Sequence, residues 1–272
     1  MLIEFSVKNY RSFRDKAILS LETTKSSTLK SVLIPFGGTP ILPSAAIYGK
    51  NGGGKSNVIR AFWLAVQFIR NAQRTQHEKA PIPVTPFALN DYSASEPTKF
   101  SFLYTLDGIR YWYSFSATKE KVYTESLYHA PKGRKTLVFA REGQEFSFTE
   151  AKARRKLISQ VVAENQLFFS VACTMNDVDC AKAMMWFREM IYFSRDYSDI
   201  PRQLLEYPND ANILRAISNY AKAADVGIED MRFEINGKQI DEEAASSEEI
   251  RAELVQFMRL LSETSNDSET NL

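Results

Sequence analysis

Residues 44–57 read SAAIYGKNGGGKSN, and this segment gives the strongest indication of the fold. An apolar segment, Ser44–Tyr48, runs directly into a glycine cluster, and from Ser56 to about Arg74 apolar side chains recur with helical spacing. Four of the chain's eleven glycines fall within the first six residues of the cluster. The pattern predicts a short buried strand, a tight glycine loop and a helix, in that order.

The loop fits G-x-x-x-x-G-K-[ST], a motif whose chemistry is the binding of nucleotide phosphates. Its glycines let backbone N–H groups surround phosphate oxygens, and the following helix adds its positive N-terminal end. Lys55 is expected to neutralise the β- and γ-phosphates, and the Ser56 hydroxyl to bind Mg²⁺. ATP and Mg²⁺ are therefore the predicted cofactors. The candidate residues are Gly49, Lys50, Asn51, Gly52, Gly53, Gly54, Lys55 and Ser56.

Composition is that of an ordinary cytoplasmic protein. The 272 residues are 44% hydrophobic, and 34 basic against 33 acidic side chains give a net charge of +1, so global charge predicts neither a nucleic-acid coat nor a membrane partner. The charged start has no signal-peptide pattern. Cys173 and Cys180 are too few for a metal cluster, which favours two partly buried thiols in a reducing compartment.

The rest of the chain predicts an α/β (α+β) fold in two parts. The first, 1–152, is a strand-rich nucleotide-binding lobe with a mixed sheet, and the second, 153–272, is mainly helical. Within the lobe, 2–8 and Ala17–Glu22 alternate like a hairpin, and 99–148 predicts an antiparallel meander. The predicted helices cover 153–164, 178–190, 209–223 and 247–262, and a short strand pair lies near 231–240.

Adjacent rings at Tyr111, Trp112 and Tyr113 must point to both faces of one strand, so both faces of the meander should be at least partly covered. We also expect the glycine loop to lie between the N-terminal strands and the meander. The free edge of the meander is a natural docking surface for further strands.

Two segments carry a family resemblance. YGKNGGGKSN (48–57) resembles the loop of ABC-type ATPases of the SMC/RecF clan, and VKNYRSF (7–13) resembles their first strand and turn. The resemblance implies nucleotide contacts for Arg11, Ser12 and Asn57. Within the clan, PFALN (86–90), Glu125-Ser126-Leu127 and ADVGIEDM (224–231) look like the defence-associated AAA-family ATPases of RloA-like and abortive-infection systems.

Other parts of an ABC-type ATPase are absent from the sequence. No glycine follows Gly237, so no L-S-x-G-type signature lies in the last 35 residues, and no apolar run ends in Asp-Glu. His77 and His129, the two histidines, lie too early for the switch position. The catalytic residues therefore stay unknown. We expect the chain to be the N-terminal portion of a longer ATPase, inactive alone, whose missing C-terminal portion completes the sheet.

Three functions remain open on these grounds. The first is an ATP-driven sensor whose paired heads, at least a dimer, gate an effector such as a nuclease subunit in anti-phage defence. The second is a RecF-like DNA-repair ATPase, for which a nucleic acid would be the partner. The third is a scaffold that binds nucleotide without hydrolysing it and forms oligomers when ATP is present. Neither the trigger nor the effector can be named from the sequence.

Overall fold

The structure is a computed structural model that describes residues 1–23, 32–36, 40–75, 80–191 and 193, and later only 215, 219, 234–235 and 238–239. The chain divides into two compact units, Met1–Ile191 and Tyr192–Leu272. The helices within residues 152–189 fall in the first of these units, and the predicted division into functional parts at 152 stays a prediction. In the described part of the chain, no helix has the length and apolar character needed to cross a membrane.

A seven-stranded sheet dominates the first unit, and all six of its pairings are antiparallel. The strand order is β2-β1-β3-β4-β5-β6-β7, so the N-terminal hairpin joins the meander through β1 and β3. The predicted hairpin, meander and α/β class are confirmed. The strands are β1 (Leu2–Lys8), β2 (Ala17–Ser20), β3 (Thr98–Leu106), β4 (Ile109–Ala117), β5 (Val122–Ala130), β6 (Thr136–Glu142) and β7 (Glu145–Phe148).

The turn between β3 and β4 shows why these strands pair as they do. Asp107 has φ of 51° and Gly108 has φ of 75°, so both central residues lie in the left-handed region. Two such residues in a two-residue connection match the right-handed twist of the flanking strands, and Asp-Gly is a preferred sequence for them. The register Leu106↔Ile109 is thereby set locally.

Five helices are described in the first unit. They are α1 (Lys55–Thr75), α2 (Asp91–Ser95), α3 (Lys152–Ser159), α4 (Phe168–Thr174) and α5 (Val178–Glu189). The helices predicted after the loop and at 178–190 are confirmed, and α3 ends five residues before the predicted 164. The helix α4 was not predicted, because six of its seven residues are buried and its apolar run has no one-sided periodicity.

One face of the sheet, here called the inner face, carries the core. Phe62 of α1 packs edge-on against Phe5 of β1, with ring centroids 5.0 Å apart. Trp186 of α5 stacks on Tyr104 of β3 at 4.4 Å, and Phe169 of α4 lies 4.5 Å from Tyr113 of β4. The helices α1, α4 and α5 therefore cover this face with aromatic side chains from both layers.

Rings also reach the opposite, outer face, as predicted for the run at 111–113. Tyr111 and Tyr113 are buried on the inner face, whereas Trp112 points outward and is half-buried. The two faces are thus covered to different degrees.

The predicted strand at Ser44–Tyr48 is wrong for this structure. These residues have no regular secondary structure, and Tyr48 is 89% exposed. A strand needs a neighbour for its backbone hydrogen bonds, and no strand in the described ranges lies beside this segment. For the same reason the expected mixed sheet is wholly antiparallel where it is described.

The glycine loop also lies elsewhere than predicted. Because β1 pairs directly with β3, no space separates the hairpin from the meander, and the loop lies against the turn that follows β1.

Little of the second unit is described. The strand pair predicted near 231–240 is present as β8 (Glu234–Ile235) and β9 (Lys238–Gln239), which are antiparallel. The helix predicted at 209–223 is described only at Arg215 and Asn219, which are helical. The helix predicted at 247–262 and the motif 224–231 lie outside the described residues.

Candidate nucleotide-binding site

The glycine loop has a backbone that only glycine adopts without strain at two positions. Gly52 has φ of 76° and Gly54 has φ of 90°. Between them, the Gly53 amide donates to the Lys50 carbonyl at 3.1 Å, which closes a tight turn. A Cβ on Gly53 would also lie 3.0 Å from that carbonyl. The loop is largely exposed, so its concave backbone is accessible to a ligand.

The helix after the loop directs its first amides toward the same place. The amides of Asn57 and Val58 donate to the Gly54 carbonyl at 2.9 and 3.2 Å, which makes these the first bonds of α1. The amides of Lys55 and Ser56 precede them and lie at the helix end that carries partial positive charge. A helix N-terminus behind a glycine loop suits a phosphate group.

Lys55 lies folded over the loop. Its Nζ donates to the Gly49 carbonyl at 2.7 Å and to the Lys50 carbonyl at 2.8 Å. These carbonyls hold the ammonium above the loop backbone, where phosphate oxygens would be stronger partners because they carry full negative charge. The side chain needs only to exchange acceptors, without a change of backbone, to bind them.

The loop packs against the turn after β1 so closely that no side chain fits at Gly54. A Cβ there would lie 2.9 Å from Ser12 Oγ and 3.1 Å from the Phe13 ring. Asn57 Nδ2 also donates to Ser12 Oγ at 2.9 Å. The structure therefore brings together the glycine loop and the N-terminal motif, which are about forty residues apart in the sequence.

Asn9 holds this turn in place, although it is not among the predicted site residues. The residue is buried with φ of 55°, a conformation that Asn tolerates better than most residues. Its Nδ2 donates to the carbonyls of Ser93 and Glu96 at 2.8 Å each, and its Oδ1 accepts from the Phe87 amide at 3.0 Å. The signal was present in the sequence: Asn9 belongs to the N-terminal motif, and Phe87 to the PFALN segment.

Arg11 lies on the exposed side of the same turn. Its amide donates to the Thr85 carbonyl at 2.9 Å, and its Nε donates to the Tyr10 hydroxyl at 3.2 Å. The backbone φ of 48° is unusual for arginine and is fixed by these contacts. Arg11 is thus placed next to the residue that contacts Gly54, while its guanidinium contacts Tyr10.

The predicted site residues accordingly form two adjoining groups. Gly49–Ser56 form one continuous loop and helix start, and Ser12 and Asn57 are hydrogen-bonded to each other beside it. Their contacts in this structure make Ser12 and Asn57 positioning residues. Direct contact of Arg11, Ser12 and Asn57 with a nucleotide stays a prediction.

Glu125, part of another family-like motif, lies in the core. Its carboxylate accepts hydrogen bonds from the Tyr113 hydroxyl and from the amides of Phe168 and Phe169, at 2.8–2.9 Å. Arg141 Nη1 lies 3.8 Å from the carboxylate, and both side chains are fully buried. Burial raises the pKa of Glu125. These contacts tie β5 to the start of α4, so Glu125 has a structural role here.

A second buried ion pair joins α3 to α5. Arg155 donates to both carboxylate oxygens of Asp177, at 2.8 and 3.0 Å, and to Asp179 at 2.6 Å. Asp177 also caps α5, because its Oδ1 accepts from the Cys180 amide at 3.1 Å. Both cysteines are buried free thiols, as the sequence predicted.

The residues of the glycine loop and of the start of α1 fit nucleotide phosphates and Mg²⁺, which the motif implies. The glycine backbone, the two leading amides of α1 and the Lys55 ammonium are donors for phosphate oxygens, and Ser56 has a hydroxyl that suits Mg²⁺. Gly54 shows that the loop is shaped by its neighbours, since even a methyl group would collide with Ser12.

Comparison with known proteins agrees with this site. Residues 44–245, well over half of the chain, match the family model described as "AAA domain, putative AbiEii toxin, Type IV TA system". The match begins at Ser44 and includes the glycine loop. No curated protein matches the chain. The chain belongs to this family of AAA domains.

Proposed function

We propose that the chain binds ATP with Mg²⁺ at Gly49–Ser56 and is the nucleotide-binding portion of an SMC/RecF-like ATPase of the RloA-like or abortive-infection kind. One observation carries the proposal: the glycine loop and the N-terminal motif of that clan, distant in sequence, meet at Gly54 and Ser12. Family membership supports an ATP-binding domain of the abortive-infection or toxin–antitoxin type.

The residues of the chain would bind and orient the nucleotide. Loop amides and the start of α1 would hold phosphate oxygens, and Lys55 would exchange the carbonyls of Gly49 and Lys50 for the β- and γ-phosphates. Ser56 would supply one ligand to Mg²⁺. The contact between Asn57 and Ser12 would hold the turn that carries Arg11 next to the ligand.

Hydrolysis by this proposal needs groups from elsewhere. No apolar run in the sequence ends in Asp-Glu, so a water-activating carboxylate would come from residues outside the chain or from a second head. The exposed segment 44–48 would become a strand when a partner strand lies beside it. The protein would work in the cytoplasm as paired heads that gate an effector such as a nuclease subunit.

Two alternatives use the same loop. A RecF-like DNA-repair ATPase would also bind nucleic acid, and a scaffold would bind ATP without hydrolysing it. Phosphate release by the purified chain would contradict the scaffold and also the expectation that the chain is inactive alone.

ATP binding is tested by Lys55→Ala. We expect a loss of affinity of roughly 10- to 100-fold, because a hydrogen bond to a charged group is worth about 1.5–3 kcal/mol. Isothermal titration with ATP and Mg²⁺ measures it. Lys99→Ala is the matched control, since Lys99 is an exposed lysine of β3 outside the loop. Equal affinity for wild type and Lys55→Ala would contradict the proposal.

A further inference from the structure

The outer face of the sheet presents two aromatic side chains side by side. Trp112 of β4 and Tyr128 of β5 are direct cross-strand partners, and Leu103 and Leu137 continue the same row on the neighbouring strands. All four are half-buried. The helices α1, α4 and α5 pack on the inner face, so these two rings, here called the aromatic platform, point away from the core.

Cationic side chains lie over the platform. Lys135 Nζ is 4.9 Å from the Trp112 ring centroid and 4.4 Å from that of Tyr128. The Arg110 guanidinium is 5.9 Å from the Trp112 ring and 5.1 Å from the Phe36 ring. Lys135 is exposed, and a cation over a ring at an exposed site is held by only roughly 0.5–1 kcal/mol, so a ligand can displace it.

The turn between β5 and β6 adds two more cations at the same end of the sheet. Lys132 and Arg134 are exposed there, and Arg110 is the cross-strand partner of Ala130, the last residue of β5. The net charge of the whole chain is only +1, so this concentration of positive charge is local. Local positive charge beside aromatic rings is the arrangement that attracts phosphate-bearing polymers.

Small polar side chains form the next row of the outer face. Ser101, Ser114 and Ser126 are cross-strand neighbours, and the hydroxyls of Ser114 and Ser126 are 3.1 Å apart. A cavity of about 280 Å³ opens at the other side of the platform, between Phe36, Arg110, Trp112 and Gly133.

We propose that this surface binds single-stranded nucleic acid, with bases stacked on Trp112 and Tyr128 and phosphates bound by Arg110, Lys132, Arg134 and Lys135. Unpaired bases offer the flat faces that such rings stack on, and a duplex does not. An acidic peptide would use the cations but not the rings.

The surface lies apart from the glycine loop. Lys99 pairs with Ser116 at the loop end of β3 and β4, and Arg110 lies about 20 Å from Ser116 at roughly 3.3 Å per residue. The proposal is therefore independent of ATP binding, and the two fail separately. Lys55→Ala should leave nucleic-acid binding unchanged.

The test uses the full chain and fluorescent single strands of about 15 nucleotides, oligothymidine and oligouridine, followed by anisotropy. Trp112→Leu should weaken binding about tenfold, because one stacked base contributes on the order of 1–3 kcal/mol. Trp112→Phe, which keeps a ring, should recover most of the loss. Lys132→Glu with Arg134→Glu should weaken binding by about tenfold or more and flatten its salt dependence.

The matched control is Lys152→Glu with Lys156→Glu. Both lysines are exposed on α3, and the change in charge is identical. This control should bind within about twofold of wild type. Three results would overturn the proposal. They are equal losses of affinity for the two charge reversals, unchanged binding by Trp112→Leu, and tighter binding of a duplex than of a single strand. Displacement of the probe by polyglutamate at equal charge concentration would point to an acidic protein partner instead. Thermal unfolding of each variant checks that it is folded.

Discussion

The glycine loop and the inner face of the sheet are held by opposite means. The loop is exposed and depends on backbone conformation, with φ of 76° and 90° at two glycines and one close contact to Ser12. The inner face is made of packed aromatic side chains, and the helices of the same unit bury ionised side chains in pairs, such as Arg155 of α3 with Asp177. Changes in the loop should alter ligand binding more than stability, and changes in the core should do the reverse.

The largest effect is expected on the core side of this comparison, from Asp177→Asn. The substitution leaves Arg155 buried without its bidentate partner and weakens the cap of α5. Because Arg155 keeps its hydrogen bond to Asp179, the loss of unfolding free energy should be about 1.5–3 kcal/mol, the range for hydrogen bonds to a charged group. Urea unfolding followed by circular dichroism measures it at about pH 7. ATP affinity should be unchanged. A large drop in ATP affinity at constant stability would contradict the expectation that changes in the core alter stability and not ligand binding.

The loss of unfolding free energy caused by Asp177→Asn should depend on pH, and the direction of that dependence follows from the pKa of Asp177. Burial alone would raise the pKa of Asp177, but hydrogen bonds from Arg155 and the Cys180 amide outweigh it and hold the pKa below its ordinary 3.8. A carboxyl group whose pKa is lower in the folded than in the unfolded state stabilises the folded protein at pH values above its unfolded-state pKa. This stabilisation is lost as the pH falls through the folded-state pKa. The difference between wild type and Asp177→Asn should therefore narrow below about pH 4. The control is Glu142→Gln, which removes an exposed carboxylate of β6.

The same contrast explains what could be predicted from the sequence. The glycine loop, the helix after it and the meander with its Asp107-Gly108 turn are local patterns, and each is confirmed. Local backbone chemistry specifies them without reference to the rest of the chain. The motif selects Gly49–Ser56 for the same reason, and their contact with a nucleotide stays a prediction.

The features that could not be predicted depend on distant partners. Asn9 and Glu125 lie in motifs that resemble the family, but nothing local identifies their partners, which are the Phe87 amide and the start of α4. The strand predicted at Ser44–Tyr48 is absent for a related reason. Its apolar pattern is that of a strand, but a strand requires a neighbour for its backbone hydrogen bonds. An apolar sequence pattern leads to burial only where the fold provides a surface against which the segment can pack.

A smaller effect is expected on the loop side, from Gly54→Ala. The new Cβ would meet Ser12 Oγ at 2.9 Å in a residue with φ of 90°, which adds a collision to backbone strain of about 1–3 kcal/mol. Gly52→Ala is matched, because its φ is 76° and its Cβ would meet no atom within 4 Å. Titration with ATP should show a greater loss for Gly54→Ala. Equal losses would mean that the contact with the turn is irrelevant to the ligand.

The smallest effect concerns the hydrogen bond that joins the two sequence motifs. Asn57→Ala and Ser12→Ala each remove the contact between Asn57 Nδ2 and Ser12 Oγ, which is 2.9 Å long and exposed. A net hydrogen bond of this kind is worth about 0.5–1.5 kcal/mol, so each variant should bind ATP a few-fold more weakly. If the bond acts by positioning the turn, the double variant should lose no more than either single one, since both remove the same interaction. ATP titrations of the four proteins give the coupling directly. Additive losses would instead mean that Asn57 and Ser12 act on the nucleotide independently, as the family resemblance alone implied.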